Sequence, residues 1–265
     1  MCFNDFLLIL YRLMFSAKYV ILINWSVINM RMRKKPNLVP RMEKCAAVQI
    51  KEPKELKGSW QREFSEKESL WLELGCGKGR FTLGTAQENP HIMLLAVEKV
   101  ADAMVIGMER VCAAEAENAR FIEMDALELR EVFERGEISR LFINFCDPWP
   151  KSRDAKHRLT APGFLRSYAD LLPVGGEIHF KTDNKPLFDW SIEQFTAEGW
   201  ELKEMTNDLH KNGVCGIMTD YEMKFHAQGV PINRVVAVKT AATLDGRAGV
   251  PERLRDAALS DARGN

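Results

Sequence analysis

From Leu70 onward, short and nearly continuous apolar runs alternate with longer stretches of helix-forming residues, and this alternation constrains the chain more than any other feature. Leu70–Leu74, Met93–Val97, Arg120–Glu123 and Leu141–Phe145 read as strands. The second and fourth are apolar almost throughout, so both sides of their pleat need cover, as in a buried parallel sheet. Between them, residues near 79–88, 100–117 and 126–135 carry helix formers at helical spacing. Right-handed crossovers built from such units give a doubly wound, Rossmann-like α/β sheet with helices on both faces. The pattern continues with a helix over Pro162–Leu172, a turn at Pro173–Gly176, a strand over Glu177–Thr182 and a helix over Leu187–Ala197. Strands over Glu201–Met205 and Arg234–Lys239 complete the sheet.

The flanks have a different character. Phe3–Met30 is apolar but interrupted by Asp5, Arg12 and Lys18. Its longest uncharged run, Tyr19–Met30, falls short of the roughly 20 residues that cross a bilayer. No small-residue cleavage site follows, so neither a membrane anchor nor a secretory signal is expected. Arg31–Lys57 is basic and broken by prolines, and residues 30–58 read as an extended basic arm. Ala241–Asn265, with Gly246, Gly249, Pro251 and many charges, reads as a flexible tail.

Composition removes several function classes. A hydrophobic fraction of 46% excludes a disordered chain, and 37 basic against 37 acidic side chains exclude a wholly basic nucleic-acid binder. Zero net charge still permits local patches, because phosphate binding depends on where charges sit. The 6 cysteines contain no C-x-x-C pair and the 5 histidines no H-E-x-x-H, and no G-x-S-x-G elbow occurs. Structural zinc, a disulfide framework, metalloprotease chemistry and hydrolase chemistry lose their support, and no metal is expected.

The first strand ends in Glu73-Leu74-Gly75-Cys76-Gly77-Lys78-Gly79. Alternate glycines at a strand-to-helix turn let the backbone approach a ligand and aim the next helix at an anionic group, although any tight βα loop can look similar. A P-loop would need Ser or Thr where Gly79 stands, and the dinucleotide fingerprint would need glycine where Arg80 stands. G-x-G-x-G after an acid resembles instead the first motif of S-adenosylmethionine-dependent methyltransferases. Glu98 closes the second strand, where a carboxylate can accept both ribose hydroxyls, and Asp125 follows the third, within reach of an adenine amino group. Any one of these acids is also what an exposed strand end carries. Three at successive carboxyl ends mark the edge where doubly wound sheets bind ligands.

The fourth strand delivers Asp147-Pro148-Trp149-Pro150 to that same edge. Two prolines make the loop stiff and hold the carboxylate and the ring in fixed geometry. Lys151, Arg153, Lys156, His157 and Arg158 follow against one acid, Asp154. Such a run is either a solvated face or, beside a cofactor cleft, a strip that grips phosphates.

Taken together, the chain closely resembles the bacterial tRNA (guanine-N7)-methyltransferases over roughly residues 30 to 240. The resemblance rests on Leu72–Gly79, on Asn144-Phe145-Cys146-Asp147-Pro148-Trp149-Pro150-Lys151, on Glu177-Ile178-His179-Phe180-Lys181-Thr182-Asp183-Asn184 and on Thr219-Asp220-Tyr221-Glu222, in the family's order. It implies a class I methyltransferase domain over residues 59–240 and a cytoplasmic enzyme acting on N7 of the variable-loop guanine of tRNA. It further implies that Glu73, Gly75, Gly77, Gly79, Glu98, Asp125 and Asp147 bind S-adenosylmethionine, with Asp147 also catalytic. Lys151, Asp183, Thr219, Asp220, Tyr221 and Glu222 would bind the target nucleotide, and Arg153, Asp154, Ala155, Lys156, His157 and Arg158 would touch the RNA. Two departures stand out: a basic run thinned by Ser152, Asp154 and His157, and Asp220 where the family carries glutamate. Met30 begins a string that looks like a family start, making residues 1–29 an upstream extension. Two other readings remain compatible with the residues: a non-catalytic RNA-binding protein on the same fold, and an NAD-dependent dehydrogenase, which Arg80 opposes. One chain shows no interface, so oligomeric state stays open.

Overall fold

The computed structural model describes residues 34–246, so the expectations for residues 1–29 and for the tail beyond Gly246 lie outside the described residues. From Asn37 onward the chain builds a seven-stranded sheet: β1 Ser69–Leu74, β2 Ile92–Glu98, β3 Ala119–Glu123, β4 Arg140–Asn144, β5 Glu177–Thr182, β6 Glu201–Thr206 and β7 Asn233–Val238. The strand order is β3-β2-β1-β4-β5-β7-β6. β1 to β5 pair in parallel, whereas β7 runs antiparallel to both its neighbours. The helices are α1 Leu38–Lys44, α2 Trp60–Glu63, α3 Arg80–Glu88, α4 Ala101–Ala113, α5 Leu129–Val132, α6 Pro162–Leu171, α7 Lys185–Ala197 and α8 Asp220–His226. No helix among the described residues is long and apolar enough to cross a membrane.

The double-sided apolar character of β2 has the predicted consequence. Leu95 and Val97 enter a core with Trp60, Phe133, Leu165, Phe180 and Phe188, while Ala96 enters a second core with Met104, Met108 and Phe121. Leu72 sits between Leu95 and Leu141 in the parallel ladders, so the first core runs continuously under the middle strands. α7 starts where the Asn184 side chain accepts the Leu187 amide at 2.8 Å, with Pro186 in its first turn.

Four segments differ from the sequence expectation. The stretch read as an extended arm is folded from Asn37. In α1, Arg41 donates through Nε and Nη2 to both carboxylate oxygens of Glu109 on α4, each at 2.6 Å. Farther along, Ile50 bonds backbone to backbone with Phe121 at the sheet edge. Two further cations of this stretch pair with the α5 region at the surface, Lys54 with Glu128 and Glu131 and Lys57 with the Arg130 carbonyl. Residues 126–135 form a short 3-10 turn and one turn of α5, because Phe133 leaves the helical path to bury its ring 5.1 Å from that of Trp60. The start of the predicted tail is docked: the Leu244 amide donates to Glu198 at 2.9 Å and Arg135 pairs with Asp245 at 2.7 Å. Lastly, β7 inserts antiparallel between β5 and β6. Because β6 ends and β7 begins at the carboxyl edge, α8 stays at that edge instead of crossing the sheet.

α3 and α4 touch backbone to backbone. Gly79 has φ +70°, and a Cβ there would lie 2.5 Å from the Gly107 Cα. A Cβ on Gly107 would lie 2.8 Å from the Phe121 ring and 3.1 Å from the Gly79 Cα. Gly107→Ala gains about 0.5–1 kcal/mol of helix propensity but forces a contact costing about 1–3 kcal/mol. The net expected outcome is a lower denaturation midpoint in urea together with weaker cofactor binding, since the strain falls on the Gly79 turn. An unchanged midpoint would show that the two helices can part at no cost.

Candidate active site

The glycine turn at the end of β1 is held by its neighbours: the Gly75 and Cys76 amides both donate to the Val97 carbonyl, at 2.8 and 3.1 Å. Gly75 and Gly77 have φ of +71° and +55°, and a Cβ on either would meet no protein atom within 4 Å. Both positions therefore open onto free space, as a backbone cradle for a ligand requires. Beside the turn is a cleft of about 340 Å³, lined by Gly75, Glu98, Asp125, Asp147, Trp149 and their neighbours. A second cavity of about 380 Å³ lies against the sheet beside Trp71 and Phe142 and gathers none of these strand-end acids. Chemistry, not size, selects the first.

Each acid is oriented by backbone amides. Glu98 accepts the Gly77 amide at 2.9 Å and the Val100 amide at 3.0 Å, leaving lone pairs free for ribose hydroxyls. Asp125 accepts the Leu127 amide at 3.0 Å and lies 3.6 Å from the Lys99 ammonium. Asn144 lines the cleft with a buried carboxamide oxygen that has no protein partner, an acceptor for a donor in the site. These features fit S-adenosylmethionine in size and in donor set.

Glu73 is placed otherwise than predicted. It is 1% exposed and absent from the cleft wall, accepting Thr82 Oγ1 at 2.6 Å and Asn144 Nδ2 at 3.4 Å behind the turn. Burial raises its carboxyl pKa to about 7 against the pull of those two hydrogen bonds. It braces Asn144 and α3 from beneath.

The loop after β4 is strained where the chemistry is expected. Phe145 and Trp149 have φ of 54° and 42°, in the left-handed region that costs a non-glycine residue about 1–3 kcal/mol. The strain is sustained from three sides. The Phe145 amide donates to the Lys181 carbonyl at 2.9 Å. The Phe145 ring packs 5.3 Å from that of Tyr221. Arg158 grips the Pro148 and Trp149 carbonyls, each at 3.0 Å, with its guanidinium 4.4 Å above Trp190. Asp147 is consequently presented, exposed, at the cleft mouth. Arg158, expected on the RNA, is committed to this loop.

The Tyr221 ring lies between Phe145, at 5.3 Å, and Phe225, at 4.3 Å. Burial, together with the charges of Asp183 and Asp147, pushes its phenol up to about 12, so it stays a donor. Burial likewise raises the Asp183 carboxyl above its usual range. The remaining residues of that string behave differently from the sequence expectation. Thr219 and Glu222 form a reciprocal capping box at the start of α8, and Glu222 is fully buried. Asp220 accepts both Arg110 Nη1 at 2.5 Å and Nη2 at 3.1 Å, and Arg110 Nη1 also holds the Lys78 carbonyl at 2.9 Å. Asp220 thus ties α8, through Arg110, to the glycine turn.

Of the basic strip, Lys151, Arg153, Lys156 and His157 are exposed around a 3-10 turn, and Lys156 and His157 also line the cleft. Arg153 lies 3.8 Å from Asp154, and Ala155 is half-buried. Trp149 is 38% exposed, with its ring 5.2 Å from that of His157. Sequence reasoning missed Asn144, Arg110, Lys181 and His210. A lysine at a buried position of β5 was a signal for Lys181; nothing near His210 marked it.

Comparison with known proteins gives a consistent result. A family described as "Putative methyltransferase" matches residues 67–235. A tRNA (guanine-N(7)-)-methyltransferase of Listeria innocua is 43% identical over 209 residues, covering 78% of this chain and 98% of that protein. One of the same description from Exiguobacterium sibiricum is 41% identical over 212 residues, covering 80% and 100%. Among solved structures, the 16S rRNA methyltransferase KamB superposes with a TM-score of 0.54 at 16% identity, over 69% of this chain and 93% of that one. This last likeness shows the fold.

The state of Glu73 has a pH signature. A carboxyl whose folded pKa of about 7 exceeds its ordinary 4.5 binds more protons folded than unfolded between those values, so its contribution to stability declines as pH rises through that window. The unfolding free energy of the wild type relative to Glu73→Gln is expected to fall between those two pH values and to level off above. A pH-independent difference would mean that Glu73 ionises normally.

Proposed function

The chain belongs to the bacterial tRNA (guanine-N(7)-)-methyltransferase family and methylates N7 of guanine in tRNA, and we propose that the methyl group comes from S-adenosylmethionine seated between the Gly75 turn and Asp147. The target is the guanine of the tRNA variable loop, and the enzyme works in the cytoplasm. The observation that carries the assignment of residues is convergence: Glu98, Asp125 and Asp147 wall one cleft, and Tyr221 packs on Phe145 of the loop that presents Asp147.

When bound, S-adenosylmethionine supplies an electrophilic methyl on a positively charged sulfur. Guanine N7 carries an in-plane lone pair and no proton, so the chain needs no general base and its task is alignment. Glu98 would hold the ribose hydroxyls with its free lone pairs, Asp125 would accept a hydrogen bond from the adenine amino group, and Gly75 and Gly77 would let the ligand lie close to the backbone. Asp147 favours positive charge at the reacting centre and accepts a hydrogen bond from the guanine edge, which selects guanine over adenine. Asp183 reads the same base from the other side. Trp149 and Tyr221 offer ring faces for a base drawn out of its stack, at a cost of a few kcal/mol that these contacts offset. Lys151, Arg153, Lys156 and His157 grip the flanking phosphates.

Incubation with methyl-labelled S-adenosylmethionine and tRNA lacking the modification, followed by chemical cleavage at N7-methylguanine, tests the assignment. Label in tRNA with cleavage in the variable loop is the expected result; cleavage elsewhere would relocate the target. Asp147→Asn is expected to lower kcat by about 10²-fold, and full turnover in that variant would remove the charge role. Lys156→Ala should weaken tRNA binding uniformly and reduce the slope of log affinity against log salt by about 1, as filter binding at several ionic strengths would show.

A further inference from the structure

Behind the Tyr221 wall lies a buried ionic cluster that the methyl-transfer step does not use. Glu222, 0% exposed, accepts Lys181 Nζ at 2.7 Å, His210 Nε2 at 2.9 Å and the Thr219 amide at 3.2 Å. Lys181 also donates to the Ile217 carbonyl at 3.0 Å, and its ammonium stands 5.1 Å from the centre of the Phe81 ring. The Cys215 amide donates to His210 Nδ1 at 3.1 Å. Nδ1 is therefore the bare nitrogen, and Nε2 carries the proton given to Glu222. A neutral histidine and a cationic lysine thus share one carboxylate, with every charged group satisfied.

Such a cluster is a poor device for stability alone. Desolvating two ions costs several kcal/mol each, and apolar residues of the same volume often pack equally well. What it does provide is a fixed address. α8 spans only Asp220–His226, too short to hold its own orientation. Its first turn is pinned on either side of Tyr221, by Asp220 on Arg110 and by Glu222 on Lys181 and His210. Lys181 lies on β5 two residues before Asp183, and its carbonyl holds the strained Phe145 amide. The same residue therefore touches the catalytic loop through its backbone and the α8 latch through its side chain.

We propose that Lys181, His210 and Glu222 are positioning residues for the target guanine: a buried latch that holds the Tyr221 ring against Phe145, in the loop that carries Asp147. This rests on the assignment of Tyr221 to the target-base wall. Glu222 then serves the substrate by placement, without touching it. A misplacement of about 1 Å can cost about 10²-fold in rate, so loosening the latch acts on turnover before it acts on binding, because the cofactor cleft and the basic strip are built from other residues.

The test compares full-length His210→Phe, which keeps an aromatic ring but removes the donor to Glu222, with His210→Gln, which keeps an N–H. Expected for His210→Phe is a kcat lowered about tenfold, with S-adenosylmethionine affinity by calorimetry and tRNA affinity by filter binding within about twofold of wild type. His210→Gln should recover most of that kcat. Lys181→Met combined with Glu222→Gln removes both charges together, avoids an orphaned buried ion, and should show the same split between kcat and affinity. Wild-type kcat in His210→Phe or in the double variant overturns the latch, as does parallel loss of cofactor affinity and kcat, or failure of His210→Gln to recover. If the wild type itself leaves guanine N7 unmethylated, the functional assignment fails first; an active wild type with unaffected variants removes the latch alone.

Discussion

Parallel pairing of β1 to β5 is the constraint on which the rest of the molecule depends. In a parallel ladder every strand ends at the same edge, so every residue that follows a strand is delivered there. The Gly75 turn, Glu98, Asp125, Asp147 and Asp183 come from five separate stretches of sequence and meet for that reason. The pairing in turn depends on burial of both faces, which β2 satisfies by sending Leu95 and Ala96 into different cores. Close approach of α3 and α4 at Gly79 and Gly107 completes the arrangement, because the glycine turn can sit over the cleft only if nothing separates the two backbones.

The antiparallel insertion of β7 adds what a purely parallel sheet would lack. It keeps α8 at the carboxyl edge and so brings the Tyr221 ring against Phe145 of the Asp147 loop. The D-P-W-P loop is strained at Phe145 and Trp149, and that strain is held by contacts drawn from β5, α8 and Arg158. A carboxylate held this way loses little freedom when a ligand arrives, as a reaction whose barrier is mainly one of alignment would require.

Much of this was readable in the chain. Continuous apolar runs at Met93–Val97 and Leu141–Phe145 announced buried strands, and the acids that followed them announced a ligand edge. Several side chains sit otherwise than their sequence neighbours suggest. Arg41, Lys54 and Lys57 looked like a solvated basic arm because their partners, Glu109, Glu128, Glu131 and the Arg130 carbonyl, lie far along the sequence. Arg158 looked like part of an RNA strip because it follows Lys156 and His157, although its guanidinium turns back onto the Pro148 and Trp149 carbonyls. Glu73 and Glu222 sit in strings that promise ligand contact, yet both are buried, Glu73 against Thr82 and Asn144 and Glu222 against Lys181 and His210.

Local pattern therefore determined the secondary elements, the sheet class and the identity of the strand-end acids, because periodicity and turn chemistry are properties of neighbouring residues. Tertiary structure alone decided the direction of β7, the partners of each cation and which acids face the cleft. Those outcomes depend on contacts between residues far apart in sequence, such as Arg110 with Asp220 and Lys181 with Glu222. Whether a charge in such a chain binds a ligand or braces the fold is set by what burial brings beside it, and that is fixed only when the layers close.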